Sequence, residues 1–457
     1  MRKSAALLAV LATGCASMQP AYVRPDPAVP ASWPAGDPYL RQSEAALPAV
    51  TYRDIFRDPR LQTLIEQSLI NNRDLAVAAA NIAAAREQVR IQRSEQFPQV
   101  DASASASVSD DSSYQVGARV AGFELDLFGR LRSLTDVQRN RYLATEAGAR
   151  AVRLTLTTDI ATAWLTYAAD RSLLRIAEDT VSSAEKSVRL TRARLEGGIA
   201  PRTDLRQAEQ ILESARADAA DQKTALAQDV NLLQLLVGAA IDPSLLPASI
   251  DEAAPTVAAL PPGVSSEVLL RRPDVVEAEY QLRAANAQIG AARAALFPRI
   301  SLTGLLGLAS STLGGLFSGG AFAWSAGADA SYSIFNAGAG RANVRLTEAQ
   351  KAAAVASYQR AIQQAFREVA DVLARRGTMA ETLPARQAQL AAASDTFRLT
   401  DARYRNGIES FLGLLDAQRS NYAAQRTLVV TRLNATTNLV DLYEALGGDS
   451  FTAPLAA

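Results

Sequence analysis

Hydrophobic and polar residues alternate along this chain with two different periods. From Arg130 to Glu196 there is no proline, and Gly148 is the sole glycine. At 1.5 Å per residue this stretch predicts a helix of about 100 Å. Along it Ile160, Tyr167, Leu174, Val181, Val188 and Leu195 recur every seven residues. Leu205, Leu212, Ala219, Leu226 and Leu233 repeat the spacing over 202–237, and Leu383, Leu390, Phe397 and Tyr404 repeat it further on. A seven-residue period keeps one seam facing a partner helix and implies supercoiling. Gly377 and Pro384 fall in the second long stretch, so a break or kink is expected there.

Four other segments alternate with period two. In 99–109, Val100, Ala102, Ala104, Ala106 and Val108 oppose Asp101, Ser103, Ser105, Ser107 and Ser109. In 322–335, Phe322, Trp324, Ala326, Ala328, Ala330, Tyr332 and Ile334 oppose Ser325, Asp329, Ser331 and Ser333. Segment 299–309 groups Ile300, Leu302, Leu306 and Leu308, and segment 114–127 switches face midway. The length and pattern suit membrane barrel strands. A soluble, half-buried sheet alternates in the same way, and alternation alone favours that commoner case.

The order of elements occurs twice. Residues around Phe97-Pro98 resemble those around Phe297-Pro298, and RLTRARLEGGIA (189–200) resembles RLTDARYRNGIE (398–409). Each half holds a helical stretch (59–96; 265–296), a strand pair, a long helix, a glycine turn and a returning helix (202–237; 410–446). The expected division is an export signal at 1–14, an extended segment at 15–54 and a first repeat at 55–240 with its strand hairpin at 98–127. A proline-rich connector follows at 241–264, then a second repeat at 265–447 with its hairpin at 298–335, and a tail at 448–457.

Composition removes whole classes of function. Lys+Arg and Asp+Glu are equal at 47 each, without the basic excess of a nucleic-acid binder. Histidine is absent, which excludes Ser-His-Asp triads, imidazole acid–base chemistry and the commonest metal ligand. No nucleotide loop or nucleophile motif appears, so no enzyme, cofactor or metal is expected. The single cysteine, Cys15, follows Arg2, Lys3 and a short apolar run, and Ala12-Thr13-Gly14-Cys15 resembles a lipoprotein cleavage site. Cys15 is then the lipid anchor. Ala16 and Ser17 come next, and the lack of an Asp there fits outer-membrane retention. An ordinary signal peptide with an incidental cysteine is the alternative.

No later segment offers eighteen continuous apolar residues, so a membrane-spanning chain must use strands. Four strands cannot close a barrel, for which about eight is the minimum. Other chains must complete it, since open edges are not tolerated in lipid. Three copies give twelve strands, although geometry alone does not choose three over two or four.

Several segments are similar to the outer membrane factors of tripartite efflux systems, in the lipoprotein subgroup found with resistance-nodulation-division pumps. They are FRDPRLQTLIEQSLINNRDL (56–75), FELDLFGRLRS (123–133), RRPDVVEAEYQLRAANAQIGAARAALFPRISLTGLLG (271–307) and LLDAQRSNYAAQR (414–426). They spread over nearly the whole mature chain in the family's order. The loop from Ile334 to Gly340 departs from the pattern with extra small residues. The resemblance implies a mainly helical homotrimer in which a twelve-strand membrane β-barrel continues into a long α-helical barrel in the periplasm. It implies a periplasmic adaptor protein and an inner-membrane efflux pump as partners, and passive conduction of small molecules such as drugs.

The resemblance also implies sites. An acidic ring near the helix tips narrows the pore in this family, and Asp416 matches it. Leu412, one turn away, adds an apolar constriction, and Arg419 is spaced to pair with Asp416. An acid and an arginine three apart on a helix are otherwise an ordinary solvated pair. The turns Gly197-Gly198 and Asn406-Gly407 need positive φ. With Arg194, Ile199, Arg405 and Ile408 they are candidates for adaptor contact. Arg403 and Tyr404 are candidates for an inter-helix latch. A type I protein-secretion exit duct is the nearest rival function, and a lipid-anchored coiled-coil rod a more distant one.

Overall fold

The computed structural model describes residues 17–30, 32–34, 39, 51–259 and 266–448. The expected signal, Cys15 and most of the tail lie outside them. Seven helices matter to the argument: α1 (Pro59–Asn71), α2 (Arg73–Ser94), α3 (Arg130–Glu196), α4 (Arg202–Val237), α5 (Pro273–Ala294), α6 (Ala339–Arg405) and α7 (Phe411–Ala445). Four strands complete the set: β1 (Val100–Ser107), β2 (Ser113–Glu124), β3 (Arg299–Ser310) and β4 (Phe322–Ser331).

Each start and stop has a local cause. The Asp58 side chain accepts from the Arg60 amide at 2.8 Å, and Pro59 opens α1 with its φ already helical. The helix expected over 59–96 is interrupted at Asn72. Its side-chain oxygen accepts from the amides of Asp74 and Leu75, starting α2, and its amide donates to the Leu236 carbonyl at the end of α4. In the same way the stretch expected to begin at 265 becomes a short 3-10 turn, Ser266–Arg271, before Pro273 opens α5. Of the expected break or kink at Gly377 and Pro384, the break does not occur, since α6 is helical throughout with Pro384 inside it. One missing amide removes one hydrogen bond, and the neighbouring turns hold the helix.

The chain forms two compact units, and their division falls inside the long helices. One unit contains residues 17–28, 78–149 and 274–362. Its sheet is antiparallel in the order β1-β2-β3-β4. Register places Ala104 opposite Val116, Val116 opposite Leu308, and Leu308 opposite Phe322. Ala102, Ala118, Leu306 and Trp324 form the next such row. A single apolar face therefore crosses all four strands. On the other face Asp101 stands opposite Arg119, and Ser301 opposite Asp329. The register shift between Val120 and Phe123 is the point where β2 changes face. The apolar face is open: Val100, Leu306, Phe322 and Trp324 are 64%, 57%, 65% and 70% exposed.

The other unit holds residues 150–273 and 363–448, with the described residues of 29–77. Leu174, Ala177, Ala219 and Leu226 pack α3 on α4. Farther along, Ala184, Val188, Leu205, Ala208 and Leu212 join Tyr404, Phe411, Leu414 and Leu415 in one core. Each fully buried leucine there contributes about 2 kcal/mol. Trp164 is fully buried, and its indole N–H donates to the Leu245 carbonyl at 2.9 Å.

Candidate functional site

The helix turns of the second unit bring together most of the residues singled out from the sequence. Gly198 has φ +71° and Gly407 φ +73°, whereas Gly197 and Asn406 do not take positive φ. Only the second residue of each turn needs glycine's freedom. The two turns share one hydrogen-bond pattern. Ile199 N–H donates to the Arg194 carbonyl and Ile408 N–H to the Arg403 carbonyl, both at 2.9 Å. This closes the helix ends in the Schellman manner. Ile199 and Ile408 are 77% and 66% exposed, so both turns offer an apolar side chain to solvent.

Arg194 is not free at the surface. It is half-buried, its guanidinium lies 4.3 Å from the centre of the Tyr404 ring, and it donates to the Tyr404 carbonyl at 3.1 Å. It therefore ties the α3–α4 turn to the α6–α7 turn. Tyr404 itself is buried, its ring tilted against Phe411 at 5.7 Å, and its hydroxyl has no hydrogen-bond partner among the described residues. Within one chain it is a core residue. Arg403 and Arg405 make short-range ion pairs with Glu409 and Asp401.

Leu412, Asp416 and Arg419 share the outer face of α7, all exposed, while Phe411, Leu414, Leu415 and Gln418 face inward. Ser410 caps this helix, accepting from the Gly413 amide at 3.1 Å. The expected Asp416–Arg419 ion pair does not form among the described residues. Both side chains reach water, and solvation competes with a pair at this spacing.

Two other polar pairs in this unit carry no signal in the sequence. The Tyr422 hydroxyl donates to the Asp218 carboxylate at 2.7 Å, with Arg426 at 3.8 Å from the same group. Burial and the adjoining carboxylate push Tyr422 up to about 12. Asp229 on α4 lies beside Asp170 on α3, and burial together with that neighbouring charge pushes it up to about 6. Burial raises Asp170 as well. The first pair joins helices far apart in sequence and the second crosses a helix hairpin, so no local spacing marks either.

A family model described as outer membrane efflux protein matches this chain over residues 64–239 and 264–448. The chain belongs to the outer membrane efflux protein family. It is 43% identical over 460 residues to the probable efflux pump outer membrane protein TtgC of Pseudomonas putida, covering 97% of this chain and 95% of that protein. To the outer membrane protein OprJ of Pseudomonas aeruginosa it is 39% identical, covering 98% and 97%. The structure of the open state of the Neisseria gonorrhoeae MtrE outer membrane channel superposes with a TM-score of 0.86 at 35% identity, covering 95% and 98%. The protein is therefore an outer-membrane efflux channel, passive and of a transport family rather than an enzyme family. Members of the family work in tripartite systems with an adaptor and an inner-membrane pump.

Proposed function

We propose that three copies of the chain assemble into one duct, anchored by lipid on Cys15. The observation that carries this reading is the sheet, which has one open apolar face and, among the described residues, unpaired edges at β1 and β4. An exposed apolar face of this extent is costly in water and stable against acyl chains. Three four-stranded sheets close a twelve-strand barrel that leaves no edge in lipid. Among the described residues no helix is long and apolar enough to cross a membrane. The strands cross it, and the long helices line a tunnel in the periplasm.

The exposed Leu412–Asp416–Arg419 face of α7 is the gate. Three copies of Asp416 around an axis form an acidic ring that favours cations. The turns at Gly198 and Gly407, with Ile199 and Ile408 outward, receive the adaptor. Arg403 and Tyr404 contribute to the latch between helices. The cargo is a small molecule such as a drug, delivered by an inner-membrane pump. The test is single-channel conductance in planar bilayers, wild type against Asp416→Ala, with and without divalent cations. Wild type passes small, cation-preferring currents that divalent ions block. Asp416→Ala raises conductance several-fold and loses the preference. Equal currents and equal selectivity in the two proteins would remove Asp416 from the gate.

A further inference from the structure

In the first unit, Glu279 on α5 is 5% exposed and takes bonds from two side chains of the N-terminal segment. Arg24 donates to both carboxylate oxygens, from Nε at 3.1 Å and Nη2 at 2.6 Å. The Tyr22 hydroxyl donates at 3.3 Å. Arg283, one turn along α5, donates twice at 3.2 and 2.7 Å and lies 4.9 Å from the centre of the Tyr22 ring. Burial pushes the Glu279 carboxyl up, but the bonds from Arg24 and Arg283 outweigh it and hold the group below its ordinary value. The same face of α5 continues the grip. The Asn286 amide, fully buried, donates to the Pro20 carbonyl at 2.8 Å. At Gly290 a Cβ would stand 2.8 Å from the Gln19 Cα, so only glycine lets the segment lie this close.

Glu279, Arg283, Asn286 and Gly290 thus form a track for residues 19–24. The related helix α2 has no such track. Two hundred residues earlier the equivalent positions are Ala79, Ala83, Arg86 and Arg90, and α2 buries nothing. General packing of the repeated helix does not call for these four residues, and the strap does. Gln19 lies four residues after Cys15, and covalent geometry limits that span to about 14 Å. Gly290 in turn precedes Arg299, the first residue of β3, by nine residues.

We propose that Glu279 is a positioning residue: it buckles the strap 19–24 onto α5 and so fixes the level at which a lipid on Cys15 enters the membrane beside the sheet. This rests on the reading of Cys15 as the lipid carrier. A bidentate Arg–carboxylate pair holds orientation as well as distance, which is what an anchor of fixed height requires. Cut loose, the acyl chain would still bind the bilayer, but without register to the strands.

The test uses the full chain produced in bacteria, with Glu279→Gln, Arg24→Ala and Cys15→Ser. Acylation is read by intact mass, strap protection by hydrogen exchange of residues 18–24, and insertion by the protease-resistant outer-membrane fraction. Glu279→Gln and Arg24→Ala keep the acyl mass, exchange the strap at least tenfold faster, and insert several-fold less than wild type. Arg24→Ala alters the strap alone, so its result stands even if Glu279→Gln folds poorly. Unchanged strap exchange in Arg24→Ala would overturn the buckle. Faster exchange with wild-type insertion would overturn its anchoring role. A wild-type chain without acyl mass, inserting as well as Cys15→Ser, would instead overturn the lipid reading and the anchoring role with it, and the exchange data would still judge the buckle separately.

Discussion

The two long helices, α3 and α6, begin and end 209 residues apart and have the same length, yet they are covered very differently. From residue 164 to 194, α3 buries Trp164, Leu165, Ala168, Ala169, Ser172, Leu174, Ala177, Ala184, Val188 and Thr191. The equivalent stretch of α6, residues 373 to 403, buries no side chain at all. Its heptad residues Leu383, Leu390 and Phe397 stay half-exposed, and only Tyr404 beyond them is buried. Gly377 and Pro384 stand where α3 has Ala168 and Arg175. A common pattern of spacing therefore supports one helix that the chain itself packs and one whose seam the chain leaves open. Under the trimer proposed above, the open seam is the part that further copies of the chain would cover.

The largest expected effect breaks this comparison at equivalent positions. Trp164 is fully buried, with Arg60 stacked 5.6 Å from its ring centre. Trp164→Ala should cost about 3–5 kcal/mol, the range for deleting a buried aromatic. Leu373, its counterpart on α6, is half-exposed, and Leu373→Ala should cost about 1 kcal/mol in the isolated chain. Thermal unfolding in detergent measures both. Equal losses would mean that the distal part of α6 is packed as tightly as α3, and that neighbouring copies supply the packing. Cross-linking then sharpens the result: Leu373→Ala should lower the assembled fraction, whereas Trp164→Ala lowers the amount of folded protein.

Pro384 gives the next largest effect. In an exposed helix interior proline is about 3 kcal/mol less favourable than alanine. Pro384 is exposed and restrains little by its contacts, so Pro384→Ala should firm the helix without disturbing a core. Hydrogen exchange across residues 378–390 should slow by about tenfold or more, with α3 unchanged. If exchange there stayed the same, proline would not be the cause of any softness in α6, and the contrast with α3 would rest on burial alone.

Both long helices were legible because spacing alone carries them: a heptad, no internal breaker in α3, and a glycine at each turn. The strands were legible from alternation, and even the midway switch in β2 showed in the residues. Three features were not legible, and the reasons are physical. Asn72 splits a helical stretch because its side chain caps α2 and reaches Leu236, a partner 164 residues away. Tyr422 meets Asp218 across 204 residues, and Glu279 meets Tyr22 across 257. A side chain's partner over such distances depends on which helices lie together, and residue spacing does not contain that. At the candidate gate, spacing suggested an Asp416–Arg419 pair. It could not tell that α7 turns both toward water.

The smallest expected effect concerns position 229, where the two halves chose different residues for one place. Asp229 on α4 corresponds to Asn438 on α7, 209 residues on. Asn438 is 1% exposed and donates to the Val372 carbonyl of α6 at 3.1 Å. Asp229 instead meets a second acid, Asp170, and holds its proton up to about pH 6. Between about pH 4 and 6 the folded chain keeps a proton that the unfolded chain has released. Stability from this group therefore falls as pH rises through that window and is level above it. Asp229→Asn removes the charge that faces Asp170. The variant should gain on the order of 1 kcal/mol at pH 7, a figure reduced for the solvent that reaches the pair. Its unfolding midpoint should also lose this part of its slope between pH 4 and 6. A variant no more stable than wild type at pH 7, with the slope intact, would show that the acid pair costs nothing where it sits, and that the two halves differ there without consequence.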